Sequence, residues 1–104
     1  MNPALAQLKS LENLMRTGLK SELIDTTINK LWNYEVQKFE KDLQELTQEL
    51  QKFEKKYNMN SREFIKKFES GELGDEEDFF EWFALYDMHK RIKSRLDLLR
   101  GNLP

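Results

Sequence analysis

Seven apolar residues, Val36, Phe39, Leu43, Leu46, Leu50, Phe53 and Tyr57, recur at alternating steps of three and four. Residues spaced about 3.5 apart fall on one stripe of an α-helix, and a stripe this long is buried only against another helix running beside it. The segment is therefore expected to be helical and to lie along a partner helix for most of its length. A second run, Trp82, Leu85, His89, Ile92, Leu96 and Leu99, has the same alternation. Two matched seams in one chain are expected to close on each other as an antiparallel pair.

Punctuation divides the chain into four helices. Asn2 can cap the first, with Pro3 at its first position, where a missing N–H costs nothing, and Gly18 ends it. Ala4, Leu8, Leu11 and Met15 form its apolar stripe, and Leu5 and Leu14 widen that face. Such a helix is too short to hold alone. The second helix starts near Ser21 and runs to about Tyr57, giving roughly 37 residues and roughly 55 Å. Its early apolar residues, Ile24, Ile28, Trp32 and Val36, step by four, so this part drifts off the seam and can meet the first helix instead. The β-branched cluster from Ile24 to Ile28 is the expected place for any bend or break.

At Asn60 a capping residue, Glu63 three places on and a staple from Met59 to Phe64 together mark a new helix carrying Phe64, Ile65 and Phe68. Gly71 is placed to end it in the left-handed conformation, and Gly74 adds a second turn. Asp75 is expected to cap the last helix, whose first turns hold Glu76, Glu77, Asp78 and Glu81 and whose last turns hold Lys90, Arg91, Lys93, Arg95 and Arg100. Acid first and base last complements the helix dipole. Gly101 closes the helix. Phe79, Phe80, Phe83 and Tyr86 make its first half apolar on more than one face, which implies burial on two sides or one aromatic face left for a partner.

Composition narrows the function classes. The 104 residues fit one domain with a single core. Charged residues make up 35% of them, yet the net charge is only −2, which lacks the basic footprint of a protein that grips phosphate backbones. No cysteine is present, so disulfides, thiolate metal sites and cysteine nucleophiles are excluded. No stretch approaches the roughly 18 apolar residues of a membrane span, and the N-terminus lacks a basic run followed by an apolar one, so a cytoplasmic protein is expected.

Few motifs carry chemistry. The acidic segment Glu72, Asp75, Glu76, Glu77, Asp78 and Glu81 could attract a hard cation, but its spacing is not that of a calcium loop, and helix-terminal acids stabilise by themselves. His89, the one histidine, lies on the apolar seam and reads as a hydrogen-bonded structural residue, with no second imidazole to complete a zinc site. No nucleophile elbow and no phosphate loop are present. No catalytic residue, cofactor or metal is expected. Lys90, Arg91, Lys93 and Arg95 could follow a nucleic-acid backbone, although their helical phases scatter around a solvated face.

The stretch from Tyr57 to Met88, with Phe68-Glu69-Ser70-Gly71-Glu72-Leu73-Gly74-Asp75 followed by Asp78-Phe79-Phe80-Glu81-Trp82, resembles a family of small helical prokaryotic proteins. The resemblance covers under a third of the chain. It implies an antitoxin-like or accessory partner in a two-gene toxin system. No helix-turn-helix with a basic recognition helix accompanies it, so control through DNA is not expected.

The sequence thus predicts an all-α fold: a long antiparallel coiled-coil-like helical hairpin with two shorter helices packed on it, acting by binding another protein. The expected contact residues are Leu43, Leu46, Leu50 and Phe53 on the seam, or Phe79, Phe80, Trp82 and Phe83 on the aromatic face. The basic residues Lys90, Arg91, Lys93 and Arg95 are the nucleic-acid alternative. A homodimer is also expected. A helix of roughly 55 Å outruns the roughly 38 Å that a final helix of about 25 residues can cover, and leucines beyond that reach would stay open.

Overall fold

The computed structural model describes residues 2–101. Its elements are four helices, α1 (Pro3–Arg16), α2 (Glu22–Tyr57), α3 (Ser61–Glu69) and α4 (Glu77–Leu99), with no strand among the described residues. The chain falls into two compact units, Met1–Leu31 and Trp32–Pro104.

Each helix end has a local cause. Asn2 Oδ1 accepts a 2.9 Å bond from the Ala4 N–H at the start of α1, and Gly18 leaves the helix at φ +90°. Ser21 Oγ accepts from the Ile24 N–H at the start of α2. No break occurs between Ile24 and Ile28. The low propensity of β-branched residues costs only tenths of a kcal/mol each, on the order of what one half-buried side chain returns. α2 ends where Asn58 turns left-handed at φ +53° and the Met59 N–H reaches back 3.2 Å to the Glu54 carbonyl, closing a Schellman motif with asparagine in the usual glycine place. Gly71, at φ +78°, ends α3 in the same way, with the Glu72 N–H bonded to the Lys67 carbonyl.

The start of α4 departs from the expected cap at Asp75. Glu76 takes the N-cap position without a side-chain capping bond, and the helix begins at Glu77. Tertiary contacts fix this start instead. Asp78 accepts 2.6 Å bonds from Lys56 Nζ and Tyr57 Oη, and Phe79 next to it is buried.

Within the C-terminal unit, Leu50, Phe64, Phe79 and Trp82 form the core, with Phe53, Tyr57, Met59, Ile65, Phe68, Leu73, Leu85 and Tyr86 packed on it. Trp82 and Phe64 are fully buried and stacked face to face, with ring centroids 3.9 Å apart and planes at 3°. Phe53 and Tyr57 stack around the same indole at 5.6 and 5.7 Å. Emptying such a site by a change to alanine costs about 3–5 kcal/mol.

Contacts between α2 and α4 pair rising numbers on one helix with falling numbers on the other. Trp32 Nε1 donates 2.8 Å to the Leu99 carbonyl, Thr47 meets His89, Phe53 meets Trp82 and Tyr57 meets Phe79. Every position of both predicted seams is buried or half-buried. The indole of Trp32 also satisfies one of the carbonyls that a helix C-terminus leaves unpaired.

The N-terminal unit is built differently. α1 contains no buried residue. Leu8, Leu11 and Met15 share a shallow cleft with Ile28, and all four remain more than a third exposed.

Candidate functional site

The eight residues expected to meet a protein partner separate by burial. Leu46, Leu50, Phe79 and Trp82 are buried, and Leu43 and Phe53 are half-buried. These six are buried or half-buried within the C-terminal unit, which leaves Phe80 and Phe83 as the more open of the eight. The seam spacing that marked them is a signature of burial, and within this unit it is met by the chain itself. Phe80 and Phe83 stay open, at 55% and 38% exposure, and lie against Phe68 at ring-centroid distances of 5.5 and 5.6 Å. They form a small aromatic patch beside the core.

The larger open apolar surface lies in the N-terminal unit. Leu5, Leu8, Leu11, Leu14 and Met15 of α1, Leu19 of the connection, and Leu23, Ile28 and Leu31 of α2 expose between 37% and 77% of their surface. Single exposed leucines are ordinary on a protein surface, but nine large apolar residues within 31 are a patch, and patches mark contact sites. The sequence carried a signal for this. Leu5 and Leu14 flank the α1 stripe on opposite sides, and together they widen it to about half the helix circumference, more than one neighbouring helix covers. Charges here are nearly balanced, with Lys9, Arg16, Lys20 and Lys30 against Glu12, Glu22 and Asp25. Arg16 pairs with Glu12 at 2.8 Å, and the two cations beside it hold the Glu12 carboxyl below its ordinary range.

The basic residues of α4 are partly neutralised on their own helix. Arg91 pairs with Asp87 at 2.9 Å and Lys93 with Asp97 at 3.3 Å. Lys90 and Lys93 line an open groove with Arg62, His89, Thr47 and Glu54, whereas Arg91 and Arg95 are not part of its lining. The four cations therefore do not form one continuous track. His89 Nε2 lies 3.3 Å from Thr47 Oγ1, and burial, reinforced by the Lys93 charge, lowers the imidazole below its ordinary titration range. The ring is half-buried, at the edge of the groove.

Sequence reasoning did not foresee the polar chain under this groove. Glu54 Oε2 accepts from both the backbone N–H and the hydroxyl of Ser61, at 2.8 and 2.9 Å, and Ser61 Oγ accepts from Trp82 Nε1 at 2.9 Å. A serine and a glutamate off the apolar stripes give no periodic signal. Their roles depend on α3 being laid across α2 and α4. At the acidic segment, Asp78 is committed to Lys56 and Tyr57, and the hydrogen bond from Lys56, then that from Tyr57, lowers its carboxyl below the ordinary range. No group of three or more metal-ligating side chains is placed to hold an ion among the described residues. No helix among them is long and apolar enough to cross a membrane.

Compared with protein-family models, with curated proteins and with solved structures, the chain has no match.

Proposed function

We propose that this chain is a non-catalytic helical protein-interaction module. In this reading the C-terminal unit is an antiparallel coiled-coil-like hairpin, stiffened by the Trp82 core, and the N-terminal unit is the element that docks. One observation carries the proposal: of the ten large apolar side chains in residues 2–31 all but the half-buried Ile24 are left open, and α1 buries none of its own. A helical pair in that state gains its stability from whatever covers it. The cover is expected to be protein, because the surface is apolar and mixed in charge, where nucleic acid would need a run of one sign.

Pairing of Arg91 and Lys93 with acids on their own helix weighs against the nucleic-acid alternative. The antitoxin-like or accessory role implied by the Gly71-Glu72-Leu73-Gly74-Asp75 segment is one form that such a partnership could take. The test is capture of binding proteins by the wild-type chain and by the pair Leu5→Glu with Leu14→Glu. The reading predicts a stoichiometric protein contact that the paired variant loses. Equal capture by both chains would refute it.

A further inference from the structure

We propose that the protein covering the N-terminal unit is a second copy of the same chain, the two units pairing about a two-fold axis into a four-helix bundle. This rests on the interaction reading above and names the partner.

Three features favour a second copy. The first is area. The nine open apolar residues of the unit leave uncovered the equivalent of roughly four and a half whole residues. That is on the order of 800 Å² per chain, the amount each partner contributes to a standard stable interface. The second is self-sufficiency. A 31-residue unit lies below the roughly 40 residues under which a domain seldom stands alone, and α1 at 14 residues is at the margin for an isolated helix. A unit that cannot hold its fold uncovered needs its cover whenever the chain is made, and another copy meets that condition by stoichiometry.

The third is charge and geometry. Residues 3–20 carry Lys9, Arg16 and Lys20 against Glu12, while residues 22–31 carry Glu22 and Asp25 against Lys30, so the first segment is net positive and the second net negative. When α1 of one copy lies along α2 of the other, opposite signs meet, and two-fold symmetry repeats the match. An apolar arc of half a helix circumference is also what a bundle requires, since each helix there touches two neighbours. Leu8, Leu11 and Met15 line a shallow cleft with Ile28 within one copy, leaving the flanking Leu5 and Leu14 for the other.

The test is mass in solution, by light scattering or sedimentation across a wide dilution series. The wild-type chain is expected at twice its 12.5 kDa mass. Leu5→Glu with Leu14→Glu is expected to weaken the dimer about a hundredfold or more, while Phe80→Ser, on the other unit, leaves it intact. The milder pair Leu5→Gln with Leu14→Gln, chosen in case the charged pair does not fold, is expected to shift mass in the same direction. A single-chain mass at every concentration overturns the second-copy proposal, but leaves the interaction reading standing if capture of another protein still depends on Leu5 and Leu14. A doubled mass unchanged by either paired variant also overturns it, by placing the contact elsewhere.

Discussion

Trp82 and Ser61 are joined by a 2.9 Å hydrogen bond from the indole Nε1 to the serine hydroxyl. The bond ties a fully buried residue of α4 to the first turn of α3, and Glu54 completes the chain from α2 by accepting from the same hydroxyl. Three helices therefore meet at one serine Oγ. Ser61→Ala leaves the indole N–H buried without its partner and removes one bond to Glu54, which should cost about 1–3 kcal/mol. Trp82→Ala should cost about 3–5 kcal/mol by emptying the aromatic stack. Urea unfolding of both variants checks the two values and their order.

Neighbouring Phe79 and Phe80 should behave unequally. Phe79 is buried against Tyr57 and Phe64, whereas Phe80 is more than half exposed. Phe79→Ala is expected to lower stability by about 3–5 kcal/mol. Phe80→Ser, which loses the edge contact with Phe68, is expected to lower it by about 0.5–1.5 kcal/mol, well short of Phe79→Ala. Comparison of their thermal midpoints decides whether the face on which α4 packs is the one described.

His89 gives the C-terminal unit a pH dependence of definite sign. Burial lowers the folded imidazole below its ordinary 6.5, with a smaller contribution from Lys93, so the folded chain resists the proton that the unfolded chain accepts. Stability is full above about 6.5 and falls as the pH drops below it, until the folded ring also titrates. His89→Gln should flatten this slope. Denaturant midpoints measured between the histidine and carboxylate ranges provide the check, and an unchanged slope in the variant would count against the assignment.

Asp78 acts in the same sense, at lower pH. Hydrogen bonds from Lys56 and Tyr57 lower its folded carboxyl below the ordinary 3.8. Its contribution is present above that value and is lost as the pH falls through the lowered one. Asp78→Asn should remove this acid-side dependence without changing helix content. Carbon-detected titration of the carboxyl groups would register Asp78 as the low outlier; an ordinary titration there would contradict the described contacts.

The elements were legible where one local rule governed them. Asn2, Asn60 and Gly71 act at the helix ends their positions announce, and every residue of both apolar stripes is buried or half-buried. Tertiary contacts obscured the rest. Asp75 looked like a cap, but Asp78 and Phe79 docking on α2 set where α4 begins. The same aromatics looked available to a partner because periodicity reports which side chains share a face without saying what already covers it. The N-terminal leucines were visible as an amphipathic stripe, but their openness depends on how few neighbours residues 2–31 supply.

On the proposed function, the N-terminal unit should owe its helical state to a protein cover, while the C-terminal unit should not. Amide hydrogen exchange along the chain, measured at low and at high protein concentration, tests it most directly. Protection of α1 should rise with concentration while the core around Trp82 stays equally protected throughout. Strong protection of α1 at the lowest concentration, unchanged on concentrating the protein, would contradict the account.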